Sequence, residues 1–204
     1  MACAVFCLSL LGCASGPHSR PLAWDPVPFP KNSDWPGPKG NPAEIANGTL
    51  VLQGQGVRTT KTYGAPVTVA CDVKLESRTA NDGSFDVCFL PPEEPLDAEA
   101  GRMICFRIIY SNTGEYGSVD RLEIDERDGD KRSVLWTKAA SKVEAGKVCH
   151  LELQVTVAGR LAVSINRIVE QVPPTVTVPY PHFQIQLGGW QPTNRWHVRN
   201  FVVR

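Results

Sequence analysis

Strict alternation of apolar and polar side chains constrains this chain more than any other feature. Residues 67–75 (VTVACDVKL) and 85–89 (FDVCF) alternate with a period of two. The pattern continues at residues 121–127, 151–157, 161–165, 183–187 and 198–203, and residues 103–110 form a mostly apolar strand. This period is typical of half-buried β-strands, because successive side chains of a strand point to opposite faces. Turn signals at Asp128-Gly129 and Ala158-Gly159 separate the runs. The sequence therefore predicts an all-β fold, a two-sheet antiparallel sandwich around a shared core.

Residues 121–127 (RLEIDER) show the alternation most clearly. Leu122 and Ile124 share one face, whereas Arg121, Glu123, Asp125 and Arg127 share the other. We expect the first pair to face the core. The second row is balanced in charge, which favours a solvated salt-bridge ladder on the outer surface.

Charge and hydropathy exclude some classes of protein. The chain has 21 basic and 21 acidic residues, so its net charge is zero, and it contains no run of Lys or Arg. Nucleic acid is therefore not expected as a partner, since phosphate binding needs a basic surface. No run of 18 apolar residues is present, so no membrane-spanning helix is predicted.

The first 13 residues are predicted to be a signal peptide. Residues 2–11 (ACAVFCLSLL) form a short apolar run that ends in small residues, as in a secretory leader. Leu10-Leu11-Gly12-Cys13 resembles the bacterial lipobox, in which the Cys13 thiol would carry the lipid. This predicts a bacterial cell-envelope protein that is held outside the cytoplasm by a lipid. No Lys or Arg precedes the apolar run, and in this the segment departs from the lipobox pattern. An ordinary secretory signal and a cytosolic protein with a chance apolar start are the alternatives.

Residues 14–42 are predicted to be a proline-rich spacer, and residues 43–204 the folded domain. Eight of the 17 prolines lie in the spacer, which disfavours a regular backbone ladder. Trp24, Phe29 and Trp35 indicate that part of the spacer packs against the domain.

Four cysteines remain in the predicted mature domain. Cys71 and Cys149 are in phase with apolar neighbours and should be buried. Cys88 and Cys105 lie in phase with charged residues on successive strands. A Cys88–Cys105 disulfide and free buried thiols are both compatible with this pattern.

Two segments resemble the concanavalin A-like lectin/glucanase domains. They are residues 146–172 (GKVCHLELQVTVAGRLAVSINRIVEQV) and residues 183–204 (FQIQLGGWQPTNRWHVRNFVVR). The pattern is most similar to the 3-keto-disaccharide hydrolase and laminin-G-like families. The resemblance implies a jelly roll over about residues 45–204, and it rests on strand patterns rather than catalytic motifs.

Glu123 and Asp125 are the candidate catalytic residues. Glu123-Ile124-Asp125-Glu126 resembles the E-x-D-x-E signature of laminarinase/lichenase-type glycoside hydrolases, which use two carboxylates on one sheet face. Arg127 occupies the position of the last carboxylate. Because a guanidinium stays charged, it cannot act as a general acid.

Strand pairing as the resemblance implies would collect polar side chains on one face. The ligand-binding candidates there are Asp86, Arg107, Arg121, Gln154, Gln184 and Gln186, with Glu152 beside them. Tyr116 and Trp190 lie in loops flanked by glycines and are candidates for stacking on sugar rings. Tyr110, Trp136 and Trp196 are further candidates for stacking. Trp136 and Trp196 are also suited to a structural role at the edges of the core.

Asp128 and Asp130, with Asp125, are a candidate calcium site around Gly129. An Asp-Gly turn explains these residues as well and is the preferred interpretation, so no cofactor is expected, and calcium is the alternative. The residues together favour a lipid-anchored domain that binds carbohydrate on its concave sheet. The alternatives are a glycoside or 3-keto-glycoside hydrolase that uses Glu123 and Asp125, and a non-catalytic structural envelope protein.

Overall fold

The structure, a computed structural model, describes most of the predicted domain. The described residues are 24–27, 44–46, 48–76, 83–92, 102–110, 120–129, 131–139, 143–190 and 194–204. Every regular element within them is a β-strand, and none of them forms a helix long and apolar enough to cross a membrane. The predicted leader with Cys13 lies outside the described residues.

The described strands are numbered in chain order. They are β1 (Trp24–Val27), β2 (Glu44–Ala46), β3 (Thr49–Leu52), β4 (Gln55–Thr59), β5 (Tyr63–Gly64), β6 (Val67–Leu75), β7 (Gly83–Leu90), β8 (Arg102–Tyr110), β9 (Arg121–Asp128), β10 (Lys131–Ala139), β11 (Cys149–Val155), β12 (Leu161–Ile165), β13 (Ile168–Val169), β14 (His182–Trp190) and β15 (Trp196–Val203).

The strands form two sheets. The first sheet has the order β1-β4-β14-β7-β8-β9-β10, and β5 adds to β14. The second sheet has the order β13-β12-β11-β6-β15-β3-β2. Neighbouring strands pair antiparallel throughout. The predicted all-β, two-sheet antiparallel sandwich is confirmed.

One apolar core lies between the sheets. Alternate residues of β7, β8 and β14 point into it from the first sheet, and alternate residues of β6 and β11 from the second. The Phe85 ring of β7 contacts the Trp196 ring of β15, with centroids 5.5 Å apart, which joins the two sheets directly. Complete burial of a side chain such as Phe106 contributes roughly 1.5–3 kcal/mol relative to its exposure.

Strand β9 has the two faces that its sequence predicts. Leu122 and Ile124 are buried in the core. Arg121, Glu123 and Asp125 alternate with them and face away from the core. The strand therefore connects the core to the outer, polar side of the first sheet.

Strand β10 contains a bulge that explains its irregular sequence pattern. The pairing register with β9 shifts between Val134 and Trp136. Before the shift, Arg132 and Val134 lie on the same face as Asp125. After it, Trp136 lies opposite Ile124 and packs against the core, because the extra residue reverses the alternation.

Strand β1 lies within the predicted spacer. It pairs with β4 at the edge of the first sheet, with Pro26 opposite Val57. Proline is tolerated on an edge strand, since its missing N–H removes no central hydrogen bond. This part of the spacer is therefore an element of the sheet.

The cysteines divide into a disulfide and two free thiols. Cys88 and Cys105 are opposite each other on β7 and β8 and form a disulfide. Cys71 and Cys149 are free and buried, as their phase predicts. Burial raises the pKa of the Cys149 thiol to about 11, so this group stays protonated and unreactive at neutral pH.

Gly189 permits the close approach of the two sheets. A Cβ at this position would lie 2.8 Å from the Leu52 Cβ and 3.0 Å from the Trp196 Cδ1. Leu52 and Trp196 are almost completely buried, so neither side chain has room to move away.

We expect Gly189→Ala to destabilise the fold by about 1–3 kcal/mol, because it overpacks a full core. The measurement is the free energy of unfolding in urea. Gly64→Ala is the matched control, since a Cβ there meets its nearest atom at 3.4 Å, an ordinary contact. Equal stability of the two variants would contradict this account of the core.

Candidate functional site

The outer side of the first sheet carries an unusual density of buried polar groups. We call this surface the polar face. It comprises the outward-facing residues Arg58, Asp86, Arg107, Arg121, Glu123, Asp125, Arg127, Arg132, Gln184 and Gln186.

Antiparallel register brings these residues into rows across the strands. Asp86, Arg107 and Glu123 lie opposite one another on β7, β8 and β9. The next row contains the Cys88–Cys105 disulfide and Asp125. Because residues directly opposite have neighbouring Cβ atoms, Arg107 can reach the carboxylates of both rows.

Asp125 is at the centre of this arrangement, and its exposed fraction is 0%. Its Oδ1 accepts a hydrogen bond from Arg107 Nε at 3.1 Å, and its Oδ2 accepts one from Arg132 Nε. Arg127 Nε lies 3.7 Å from the same Oδ2. Three guanidiniums from three adjacent strands therefore surround one carboxylate.

Glu123 is held in a similar way and is 3% exposed. Its Oε2 accepts a hydrogen bond from Arg121 Nε at 3.2 Å, and its Oε1 accepts one from Arg132. The expectation of a solvated ladder is thus wrong for the carboxylates: they are ion-paired, as expected, but buried. Buried charges persist only when they are paired and hydrogen-bonded, and the arginines provide this.

These contacts limit the chemistry of the candidate pair. Retaining and inverting glycosidases need one carboxylic acid that offers a proton to the glycosidic oxygen. All four carboxylate oxygens of Glu123 and Asp125 already accept hydrogen bonds from guanidiniums. The pair is therefore arranged as an ion-pair network, with no carboxylate oxygen left free of a guanidinium.

Asp86 differs from these two carboxylates. It is buried, and its Oδ2 lies 3.4 Å from an Arg107 guanidinium nitrogen. Burial raises the pKa of the Asp86 carboxyl, and the positive charge of Arg107 opposes this only in part.

Gln184 and Gln186 extend the polar face onto β14, as the sequence predicts. Gln184 accepts a hydrogen bond from Arg58 at 3.5 Å and donates one to the Thr59 carbonyl at 2.9 Å. Gln186 is only 1% exposed, yet neither its Oε1 nor its Nε2 has a hydrogen-bond partner among the described residues. A buried amide without hydrogen bonds lowers the stability of the folded state by about 1–3 kcal/mol, so Gln186 at this position is unfavourable for folding alone.

Two predicted members of the surface lie elsewhere. Gln154 belongs to β11 in the second sheet and is exposed on the far side of the sandwich, as is Glu152, which pairs with Arg204 at 3.1 Å. The alternation of β11 was assigned correctly, but the strand pairs with β6 and β12 instead of β7 or β9.

The aromatic candidates are mostly part of the core. Tyr110 is buried inside the sandwich, where its hydroxyl donates to the Val143 carbonyl at 3.2 Å, so it is not available for stacking. Trp196 is buried and Trp136 packs against the core, which fits the structural role expected for them. Tyr116 and the side chain of Trp190 lie outside the described residues.

The candidate calcium ligands remain separate. Asp128 is exposed at the end of β9, Asp130 lies outside the described residues, and Asp125 is engaged by arginines. Among the residues that the structure describes, no group of three or more His, Cys, Asp or Glu side chains is placed to hold a metal ion.

Two arginines of the polar face were missed by sequence reasoning. Arg132 follows the Asp128-Gly129 turn, so a hairpin interpretation of that turn would have placed it opposite Arg127. Arg58 lies in the short, glycine-containing β4, whose alternation is too brief to be decisive.

Comparisons with known proteins show the fold. No family model matches the chain, and no curated protein matches it. Among solved structures, the chain is similar to carbohydrate-binding module CBM66 from Bacillus subtilis, with 13% identity, a TM-score of 0.58, and coverage of 89% of this chain and 94% of that one. A legume lectin-like domain from Entamoeba histolytica has 11% identity, a TM-score of 0.61 and coverage of 89% of each chain. A Bacillus licheniformis β-glucanase has 11% identity, a TM-score of 0.57, and coverage of 92% of this chain and 94% of that one.

The chain has a concanavalin A-like jelly-roll fold. Lectins, a binding module and a glucanase share it, so the fold alone does not choose between binding and hydrolysis.

Asp86 and Asp72 should affect stability with opposite dependence on pH. The pKa of Asp86 is raised by burial, so its ionisation disfavours the folded state as pH rises. The pKa of Asp72 is lowered, chiefly by its hydrogen bond with His150, so ionisation of Asp72 favours the folded state. Between about pH 3 and about pH 7, Asp86→Asn should gain stability relative to the unsubstituted protein, and Asp72→Asn should lose it.

Urea midpoints measured across this range test both expectations. Each variant is the control for the other, since both replace one aspartate by its neutral isostere. Parallel pH trends for the two variants would show that the burial of Asp86 does not control its ionisation.

Proposed function

We propose that this chain is a carbohydrate-binding domain whose polar face recognises glycans. The observation that carries the proposal is that arginines hydrogen-bond both candidate catalytic carboxylates, Glu123 and Asp125. Because Glu123 and Asp125 give all four oxygens to arginines, neither of these carboxyl groups is free to donate a proton to a glycosidic oxygen, and both are held in fixed positions.

Gln186 supports binding more directly. Its buried amide has two donors and an acceptor that are unused within the described residues. Sugar hydroxyls both donate and accept hydrogen bonds, so a bound glycan would satisfy this amide. Asp86 lies one row away on the adjacent strand and offers further acceptors.

The names of similar structures agree with this proposal. The chain shares its fold with a carbohydrate-binding module and a legume lectin-like domain, and also with the carbohydrate recognition domain of Emp47p. Carbohydrate is therefore the proposed partner.

We also propose that the domain is exported and anchored by a lipid on Cys13 in a bacterial cell envelope. The lipobox-like sequence at residues 10–13 is the main support. The Cys88–Cys105 disulfide adds to it, since such bonds persist in oxidising compartments outside the cytoplasm.

Cys13→Ser should abolish lipidation, because the thioether to the lipid requires a thiol. The measurement is metabolic labelling of the full chain with a palmitate analogue in a bacterial host. Cys7→Ser, which changes a cysteine within the predicted leader, should keep the label. Labelling that persists in Cys13→Ser would refute the proposed anchor.

Gln186→Ala should weaken glycan binding by about tenfold, since hydrogen bonds worth about 1.4 kcal/mol would be lost. The folded state should be at least as stable as before, because a buried unsatisfied amide is removed. The measurement is a glycan-array screen with the full chain, followed by titration of the best glycan.

Gln154→Ala is the matched control, since Gln154 is exposed on the second sheet and should have no effect. If the folded protein binds no glycan, the domain is a structural envelope protein and the proposal fails.

The β-glucanase likeness and the shared face of Glu123 and Asp125 favour hydrolysis as the second candidate function. The resemblance to 3-keto-disaccharide hydrolases adds 3-keto-glucosides to the substrates to be tested. Turnover of these compounds or of β-glucans that disappears in Glu123→Gln would replace the binding proposal by an enzymatic one.

A further inference from the structure

Arg127 is the least well paired guanidinium of the Asp125 cluster. Its Nε lies 3.7 Å from Asp125 Oδ2, whereas Arg107 lies 3.1 Å from Oδ1 and Arg132 bonds Oδ2 more closely. One carboxylate has one negative charge, and two nearer guanidiniums already compete for it. Arg127 therefore keeps most of its positive charge uncompensated by Asp125.

The residues directly opposite Arg127 on the adjacent strands carry no negative charge, and Asp86, whose charge also acts on Arg127, is paired with Arg107 at 3.4 Å. Met103 lies opposite it on β8, and Arg132 lies opposite it on β10. Its Nε is buried and has no hydrogen-bond partner among the described residues. Burial lowers the pKa of Arg127, the positive charge of Arg107 lowers it further, and Asp86 and Asp125 oppose this only in part.

Arg127 is also accessible. Its side chain is 33% exposed, whereas that of Arg107 is 9% exposed and that of Asp125 is completely buried. A ligand that approaches the polar face from solvent can therefore contact the exposed part of this side chain without displacing the cluster beneath it.

We infer that the polar face binds an anionic saccharide and that Arg127 pairs with its carboxylate or sulfate group. The inference rests on the proposed carbohydrate-binding function and specifies the class of glycan. Guanidinium groups bind carboxylate and sulfate oxygens through paired, charge-assisted hydrogen bonds. A neutral glycan would cover Arg127 without compensating its charge, and desolvation of an uncompensated charge opposes binding.

The position of Gln186 sets the length of the ligand. Gln186 lies on β14 and Arg127 on β9, three strand spacings apart in the order β14-β7-β8-β9. With about 4.8 Å between neighbouring strands, their backbones are separated by about 14 Å. One sugar ring is too short to bridge both groups, so a ligand that contacts both is an oligosaccharide that lies across the strands, with its anionic group over β9.

The test compares polygalacturonate with the same polymer after methyl esterification, which removes the charges and keeps the sugar backbone. The full chain should bind polygalacturonate or the sulfated glycan heparin at least tenfold more tightly than the methyl ester or neutral dextran. Arg127→Gln should reduce binding of the preferred anionic polymer by about tenfold or more, since a charge-assisted hydrogen bond is lost. Arg127→Lys should give an intermediate loss, because it keeps the charge without the paired geometry.

Arg102→Gln is the matched control. It removes the same charge from an exposed side chain that pairs with Glu126, away from the polar face. Anionic binding that falls equally in Arg102→Gln and Arg127→Gln would show general charge attraction and would overturn the inference.

The inference and the proposed function fail in distinguishable ways. Equal binding of the charged and esterified polymers, or tight binding of a neutral glycan that is unchanged in Arg127→Gln, overturns the anionic specificity and leaves carbohydrate binding intact. If the unsubstituted protein is folded, as a cooperative unfolding transition would show, and still binds none of the glycans, both the inference and the proposed function are overturned.

Discussion

The ion pairs around Asp125 are the interaction on which the polar side of this protein depends. A carboxylate with no exposed surface is stable only if nearby groups replace its lost hydration. Arg107, Arg127 and Arg132 do so from β8, β9 and β10, and they tie these three strands together on the side opposite the core. Loss of one partner in such a cluster leaves another charge buried and unpaired, which is why buried ion pairs restrict the conformations of their members. The arrangement therefore gives the first sheet a rigid outer surface.

The same ion pairs are the reason for proposing glycan binding rather than hydrolysis. Jelly rolls include both lectins and glucanases, and the two differ in whether a carboxylic acid is free to exchange a proton with a substrate. Here Glu123 and Asp125 are bound to arginines, while Gln186 is a buried amide with no hydrogen-bond partner in the part of the chain that the structure describes. Rigid, preorganised polar groups favour binding, because little side-chain entropy is lost when the ligand docks. The position at which an enzyme would need an acid carries Arg127, a group suited to holding an anion.

Much of the fold could be predicted from alternation, because the direction of a side chain in a strand is a local property. Leu122 and Ile124 face the core, and Cys88 and Cys105 lie on the opposite side, as their phases indicate; the disulfide between these two cysteines was one of two alternatives that the sequence left open. The bulge in β10 could not be predicted, since it reverses the alternation between Arg132 and Trp136. Gln154 was placed on the wrong surface for a different reason. Alternation states which side of its own strand a residue occupies, but it does not state which strands become neighbours.

The sequence by itself determined that the chain forms two-faced strands, which residues form the core, and which charged residues share a side of β9. Only the tertiary structure decided that Glu123 and Asp125 are buried, that Arg132 joins their row, and that Gln186 has no hydrogen-bond partner among the described residues. The reason is one of range. Side-chain direction follows from the two-residue repeat of the backbone, whereas burial and pairing depend on contacts between distant segments, such as the hydrogen bond between Arg58 and Gln184, 126 residues apart.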